Sequence, residues 1–255
     1  MWRFAAARAT GTSHLQTGTP CQDRVACAAL ANGALVAAVS DGAGSAARAE
    51  VGAEIAVQAV AGRLRRHLEE ADGPSPVLAL QDAALYARAA VLARAEADGE
   101  EAASYAATLL ALIDTPDGGA ALQIGDGVIV AGGQDGGWRW VFWPERGEYA
   151  NTTRFLTDDD APGRIRVAAL PGSPADIAIM TDGLQSLALD YAGEAVHEPF
   201  FRGMFQPLHG SSGSGELPAL SVFLEEFLSS DRVRLRTDDD VSLILATCGS
   251  PAPPD

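Results

Sequence analysis

Five aspartates of this chain sit where apolar runs begin or end. Asp41, Asp126 and Asp182 each follow a short apolar run and precede a glycine. Asp239 stands just before the run 241–246, and Asp23 just before the run 24–30. Carboxylates at strand ends can meet along one edge of a sheet. Hard divalent cations such as Mg²⁺ or Mn²⁺ take such oxygen ligands and keep several waters. The glycine after Asp41, Asp126 and Asp182 leaves room for a backbone carbonyl to approach a ligand. Taken singly, each pair reads first as a turn, because Asp-Gly is a strong hairpin signal, and Asp126-Gly127 between two short runs fits a hairpin best. The shared setting points to chemistry, but spacing alone does not establish that the acids meet.

Other chemistries find less support. Gly42-Ala43-Gly44-Ser45-Ala46-Ala47 follows an apolar run and opens a helical stretch, close to a dinucleotide fingerprint. Asp41 would then face a pyrophosphate with like charge. The window about 20 residues on is basic, Arg63 to Arg66, and no second strand follows promptly. The three cysteines, Cys21, Cys27 and Cys248, form no C-x-x-C pair, which argues against a disulfide framework or structural zinc. No two of His14, His67, His197 and His209 are spaced i,i+4, so a helical zinc-protease site is excluded. No G-x-S-x-G elbow is present.

Composition narrows the partners. Eighteen basic residues, all arginine, face 34 acidic ones, for a formal charge of −16. Such a chain repels phosphate backbones, so nucleic acid and anionic membrane are poor partners. With 47% apolar and 20% charged residues over 255 positions the chain is globular, with enough length for a large core. No uninterrupted apolar stretch reaches a membrane span of roughly 18 residues, and Met1 to Ala5 lack a signal-peptide layout. The expected location is the cytoplasm.

These acids need elements to hold them. Apolar runs predict strands over 2–9, 24–30, 35–39, 107–113, 120–124, 128–131, 138–143, 176–181 and 241–246. Helices are predicted over 46–68, 76–97, 195–209 and 216–229. Residues 10–23 read as a turn-rich loop, 144–175 as an irregular insertion and 210–215 as a flexible glycine-serine loop. Blocks of strands and helices in this order argue for an α+β fold in one domain, 1–247, with a disordered Pro-rich tail, 248–255.

Together these segments resemble the metal-dependent protein phosphatase family, type 2C, in a compact bacterial branch. The matching elements are Gly11-x-Ser13-His14, Gly18-x-Pro20-Cys21-Gln22-Asp23, Val39-Ser40-Asp41-Gly42-Ala43-Gly44-Ser45, Ala107-Thr108-Leu109, Ile124-Gly125-Asp126-Gly127, Met180-Thr181-Asp182-Gly183-Leu184 and Asp239-Asp240-Val241-Ser242-Leu243. Trp143-Pro144-x-x-Gly147-Glu148-Tyr149-x-Asn151 is similar to that branch. The resemblance implies an α-β-β-α sandwich, two antiparallel sheets flanked by helix pairs, with a two-metal site at one edge. It implies that Asp41 bridges two Mn²⁺ or Mg²⁺ ions and that the Gly42 carbonyl binds the second. Asp182 and Asp239 would hold the first, Asp23 would orient water, and Asp126 would serve a third ion. The implied reaction is hydrolysis of phosphoserine or phosphothreonine in a protein by a metal-bridging water, opposite a Ser/Thr kinase.

Three departures are visible. Gln22 removes one carboxylate, Ala43 replaces a histidine proposed elsewhere as general acid, and Gly18 lies near the place of a phosphate-binding basic residue. These favour the alternative of a catalytically weak regulatory or scaffold domain; a third reading, a small-molecule phosphomonoesterase, needs a closed basic pocket that a lysine-free acidic chain does not advertise. His14 could supply the missing proton, although a loop histidine bonded to backbone is the plainer reading. Arg24 reads as a solvated strand residue, the tryptophans Trp138, Trp140 and Trp143 as core or sheet-face residues, and Asp158 to Asp160 as a solvated loop that could steer substrate.

Overall fold

A computed structural model of the chain describes residues 1–70, 73–132, 137–144, 153–170 and 172–249. Strand β1 (Trp2–Ala9) leads through a one-and-a-half-turn helix, α1 (Thr12–Thr17), to β2 (Arg24–Ala29) and β3 (Leu35–Ser40). Helices α2 (Ala49–Glu69) and α3 (Pro76–Asp98) follow, then β4 (Leu109–Thr115), β5 (Gly118–Ile124), β6 (Val128–Gly132) and β7 (Trp138–Trp140). Next come α4 (Ala161–Arg164), β8 (Arg166–Ala169), β9 (Asp176–Met180), α5 (Gln185–Ala188), β10 (Leu189–Asp190) and β11 (Ala195–Val196). The chain closes with α6 (Glu198–His209), β12 (Gly215–Glu216), α7 (Pro218–Leu228), α8 (Asp231–Arg234) and β13 (Val241–Cys248).

One sheet has the order β2-β3-β4-β5-β8 and is antiparallel throughout. The other runs β12-β1-β13-β9-β6-β7, antiparallel except where β12 lies parallel to β1. Their strands read as unbroken apolar runs because both faces are covered. In β3, Val36 and Ala38 pack with α2 and α3, while Leu35, Ala37 and Val39 face the opposite sheet. In β13, Leu243 and Leu245 join Phe201 and Phe205 of α6, while Ile244 and Ala246 face inward. Side chains alternate across a strand, so one run feeds two cores. The result is the expected four-layer α-β-β-α sandwich.

Several elements differ from the sequence expectation. Loop 10–23 contains α1, whose C-terminal Gly18 takes φ +72 and closes the helix. The loop 210–215 ends in β12, which docks on the edge of β1 with Arg3 opposite Gly215. The insertion 144–175 supplies the edge strand β8, and residues 195–196 pair with β10 before α6 begins. Helix α2 starts three residues later than expected, at Ala49, and β7 stops at Trp140. Residues 145–152, carrying part of the branch-like motif, and 250–255 of the tail lie outside the described residues.

Helix α3 is long and apolar enough, by length and composition, to cross a membrane. Here its alanine-rich face, including Ala83, Ala84 and Ala87, is buried in the outer core, and its Asp82 accepts from Arg63 of α2 at 2.6 Å.

Asp114 on β4 is almost fully buried beside the Trp2 ring, and burial raises its carboxyl to about 6. The folded value lies above the unfolded one, so the protonated form is favoured by folding, and stability falls as pH rises from about 4 to about 6. Asp114→Asn should therefore be more stable than the parent at pH 7, with the difference shrinking toward pH 4. Urea midpoints across that range check this; a pH-independent difference would contradict it.

Candidate functional site

The two sheets present their acids along one edge because strand ends of both lie there. Ser40 pairs with Arg24, so Asp41 and Asp23 leave neighbouring strands at the same end. Met180 lies opposite both Leu243 and Val128, which brings Asp182, Asp239 and Asp126 to the matching end of the second sheet. Asp126 is not in a hairpin. Strand β5 belongs to one sheet and β6 to the other, so Gly125-Asp126-Gly127 is a crossover between sheets, turned by Gly125 at φ +104.

Two other glycines permit close backbone approach. A Cβ on Gly183 would stand 2.3 Å from the Asp240 carbonyl oxygen, and one on Gly11 would stand 2.3 Å from the Asp239 carbonyl carbon. Neither needs a left-handed φ. Asp182–Leu184 form a single 3-10 turn, and within it Gly183 lets the two acid-bearing strand ends touch.

Asp23 is fully buried. Its Oδ2 accepts from Thr181 Oγ1 at 2.8 Å and Ser242 Oγ at 2.7 Å. Burial raises its carboxyl to about 7 against those two bonds, with Asp240 and Asp239 adding repulsion. Asp182 also rises to about 7, from burial first and then the charges of Asp126, Asp239 and Asp23. Asp41 rises well above the carboxylate range through burial and through Asp23, Asp182, Asp239 and Asp126. Burial raises Asp239 too. Asp23, Asp126, Asp182 and Asp239 all act on Asp41, so the structure brings the five into one electrostatic neighbourhood.

Among the described residues, no three Asp, Glu, His or Cys side chains already close to coordinating distance. The donor set nonetheless fits a hard cation. Asp23 Oδ1 and Asp126 Oδ1 are buried and lack a hydrogen-bond partner among the described residues. A buried carboxylate oxygen without a donor calls for water or a cation. Gly42 is buried at the start of the same loop, whose Asp41 N–H donates to Thr108 Oγ1 at 2.9 Å.

Sequence reasoning placed His14 in a loop; it lies in α1, with Nδ1 3.0 Å from Asp240 Oδ2. Asp240 itself was missed. It is buried, and its two oxygens accept from the Gly11 and Gln22 N–H groups at 2.7 and 2.6 Å, pinning the segments that carry His14 and Asp23. The doublet Asp239-Asp240 was a signal for it, but sequence does not tell which acid points inward. Arg24 is not solvated. Its Nε pairs with Glu54 at 2.9 Å and its Nη1 donates to the Cys21 and Asp23 carbonyls. Trp138 is core, stacked on Phe201 and Phe205, whereas Trp140 is partly exposed and meets Trp143 edge-on. Asp158 is not free in solvent, since its Oδ2 accepts from the Phe155 N–H.

The segment 153–156, expected to be irregular, lies against the acids. Thr153 Oγ1 donates to Asp126 Oδ2 at 2.8 Å, and Phe155 packs on the cluster of Ala43, Ala46, Ala49 and Ala106. Arg154 between them is half-buried and has no carboxylate partner among the described residues. Cys21 lies close by, but burial and the charges of Asp23 and Asp240 push its thiol up to about 12, so it holds no thiolate at neutral pH.

A family model described as protein phosphatase 2C matches residues 10–228. A serine/threonine-protein phosphatase 3 of Escherichia coli K12 is 38% identical over 251 residues, covering 96% of this chain and 98% of the relative. A serine/threonine phosphatase of S. agalactiae superposes with TM-score 0.65 at 12% identity, over 98% of this chain and 100% of that one. The catalytic domain of the phosphatase PstP, in complex with two manganese ions, superposes with TM-score 0.59 at 17% identity, covering 96% and 97%.

Proposed function

The chain belongs to the protein phosphatase 2C family, and we propose that it hydrolyses phosphoserine and phosphothreonine in proteins using two Mn²⁺ or Mg²⁺ ions held by its edge aspartates. The observation that carries this reading is the convergence of Asp23, Asp41, Asp126, Asp182 and Asp239, from five separate chain segments, on one edge of the two sheets, where the charges of Asp126 and Asp239 help to raise Asp41 and Asp182. In this reading Asp41, the Gly42 carbonyl, Asp182 and Asp239 hold the two ions, and Asp126 offers a place for a third. When bound, such ions lower the pKa of water and neutralise charge on the phosphoryl group.

The remaining roles fall to the chain's own residues. Asp23 is clamped at Oδ2 by Thr181 and Ser242, which leaves Oδ1 to orient a water. Ala43 is buried among alanines and offers no proton. His14, whose Nδ1 stands 3.0 Å from Asp240 Oδ2, is our candidate for protonating the leaving oxygen from Nε2. Arg154 is the candidate for holding the phosphate in place of the missing basic residue, and Arg154→Ala should raise KM for phosphopeptide more than it lowers kcat. A drop in kcat alone would remove it from that role. A serine/threonine kinase acting on the same proteins would be its counterpart.

Phosphate release from phosphoserine and phosphothreonine peptides tests the reading as a whole. Release should require Mn²⁺ or Mg²⁺ and survive iodoacetamide, since no thiolate takes part. Turnover in excess chelator, or loss of turnover on alkylation with the fold intact, would overturn it. Binding of Mn²⁺ without any turnover would favour the regulatory-domain alternative.

A further inference from the structure

Beside the acid cluster lies a groove of about 630 Å³. Its apolar floor is formed by Leu187, Phe200, Met204 and Phe227, and Arg232 and Arg236 stand on its rim. Both walls are continuous with the candidate site. Gln185 donates to the Asp126 carbonyl, and the next residue, Ser186, lines the groove. On the other wall Arg236 stands three residues before Asp239. Four residues of extended chain reach at most about 14 Å, so a short peptide can occupy groove and site together.

The charge on this rim is unusual for the molecule. The chain carries −16 overall, yet neither Arg232 nor Arg236 has a carboxylate partner among the described residues. Two other polar groups of the groove make local hydrogen bonds. Asp190 Oδ1 accepts from the Ala192 N–H at 3.0 Å, and His197 Nδ1 lies 3.0 Å from the Leu187 carbonyl. The groove thus offers an apolar floor and two guanidinium groups against the one carboxylate of Asp190, a net positive rim that suits an aliphatic or aromatic side chain next to a carboxylate.

We propose that this groove receives the polypeptide flanking the phosphorylated residue of a protein substrate, with an apolar side chain on the floor and an acidic side chain at Arg232 and Arg236. This rests on the phosphatase reading above. It makes the enzyme selective for phosphoproteins whose phosphosite has an apolar and an acidic neighbour a few residues away.

The test is a series of phosphothreonine peptides on an alanine background, with a Leu-Glu pair moved from two to five residues away on either side. At one register kcat/KM should rise roughly tenfold or more over the all-alanine peptide, mainly through KM, as an apolar pocket discriminates. The double variant Arg232→Ala with Arg236→Ala should erase the part due to Glu, and Met204→Glu the part due to Leu. Turnover of p-nitrophenyl phosphate, which cannot span the groove, should not change. Equal kinetics for every peptide would overturn the proposal, and so would preferences that persist in both variants. Fluorescence anisotropy of the same labelled peptides reads the groove without turnover. Register-dependent binding in a wild-type protein that hydrolyses neither ester would leave the groove standing while the phosphatase reading fell; register-independent binding with active hydrolysis would do the reverse.

Discussion

Asp41→Asn should lower phosphopeptide hydrolysis on the order of a hundred- to a thousandfold, and Asp182→Asn and Asp239→Asn similarly. Charge stabilisation by bound cations is worth several kcal/mol at the transition state, and each 1.36 kcal/mol is tenfold in rate. Asp41 should be the most sensitive, because four other carboxylates act on it and in the proposed site it serves both ions. Its backbone N–H is bonded to Thr108 Oγ1, and β3 is buried throughout, so the amide variant should fold normally. Asp159→Asn, exposed in the loop before α4, is the control and should keep full activity. Initial rates at saturating Mn²⁺ decide the matter. An Asp239→Asn variant with wild-type kcat would mean that the edge acids are structural turns.

The second large effect is on stability and needs no substrate. The edge acids repel one another and are kept from ionising by burial, which raises Asp23 and Asp182 to about 7. In the metal-free protein these folded values exceed the unfolded one. Stability is therefore greatest with the groups protonated and falls as pH climbs from about 4 toward about 7. A divalent cation binds only the folded form and relieves the repulsion. At about 100 times its Kd it adds roughly 2.7 kcal/mol. At about 2–4 °C per kcal/mol for a domain this size, Tm should rise on the order of 5–10 °C in saturating Mn²⁺. The rise should be larger at pH 7.5 than at pH 5.5, since the ligands must be deprotonated. It should vanish in Asp41→Asn and be nearly absent with monovalent salt at matched ionic strength, which screens the −16 charge equally in both proteins. Thermal scans with and without Mn²⁺ give the answer. A wild-type Tm unmoved by millimolar Mn²⁺, or one that moves equally in Asp41→Asn, would contradict a cation site at this edge.

Much of this molecule was legible in its sequence. Strands with both faces covered need unbroken apolar runs, so β3, β9 and β13 stood out as short blocks bounded by polar residues. Helices α2 and α3 showed through their length and the Pro-containing turn between them. The acids at the run ends, with the motifs around them, suggested both the chemistry and the family. Local pattern could not reveal which sheet each strand joins. Asp126-Gly127 looks like a hairpin turn because the residues alone do not say that β5 and β6 part into different sheets. Arg24 looks solvated because Glu54, its partner, lies 30 residues away on α2. Asp240 is indistinguishable from Asp239 in the sequence until the chain brings Gly11, His14 and Gln22 to its two oxygens. In the same way, Gly183 acquires its purpose only when β9 and β13 lie side by side. Composition and periodicity determined the elements, because they report what each residue buries. The meeting of the acids, the pinning of Asp23 and the groove beside them depend on contacts between residues as many as 229 positions apart, and only the tertiary structure decides those.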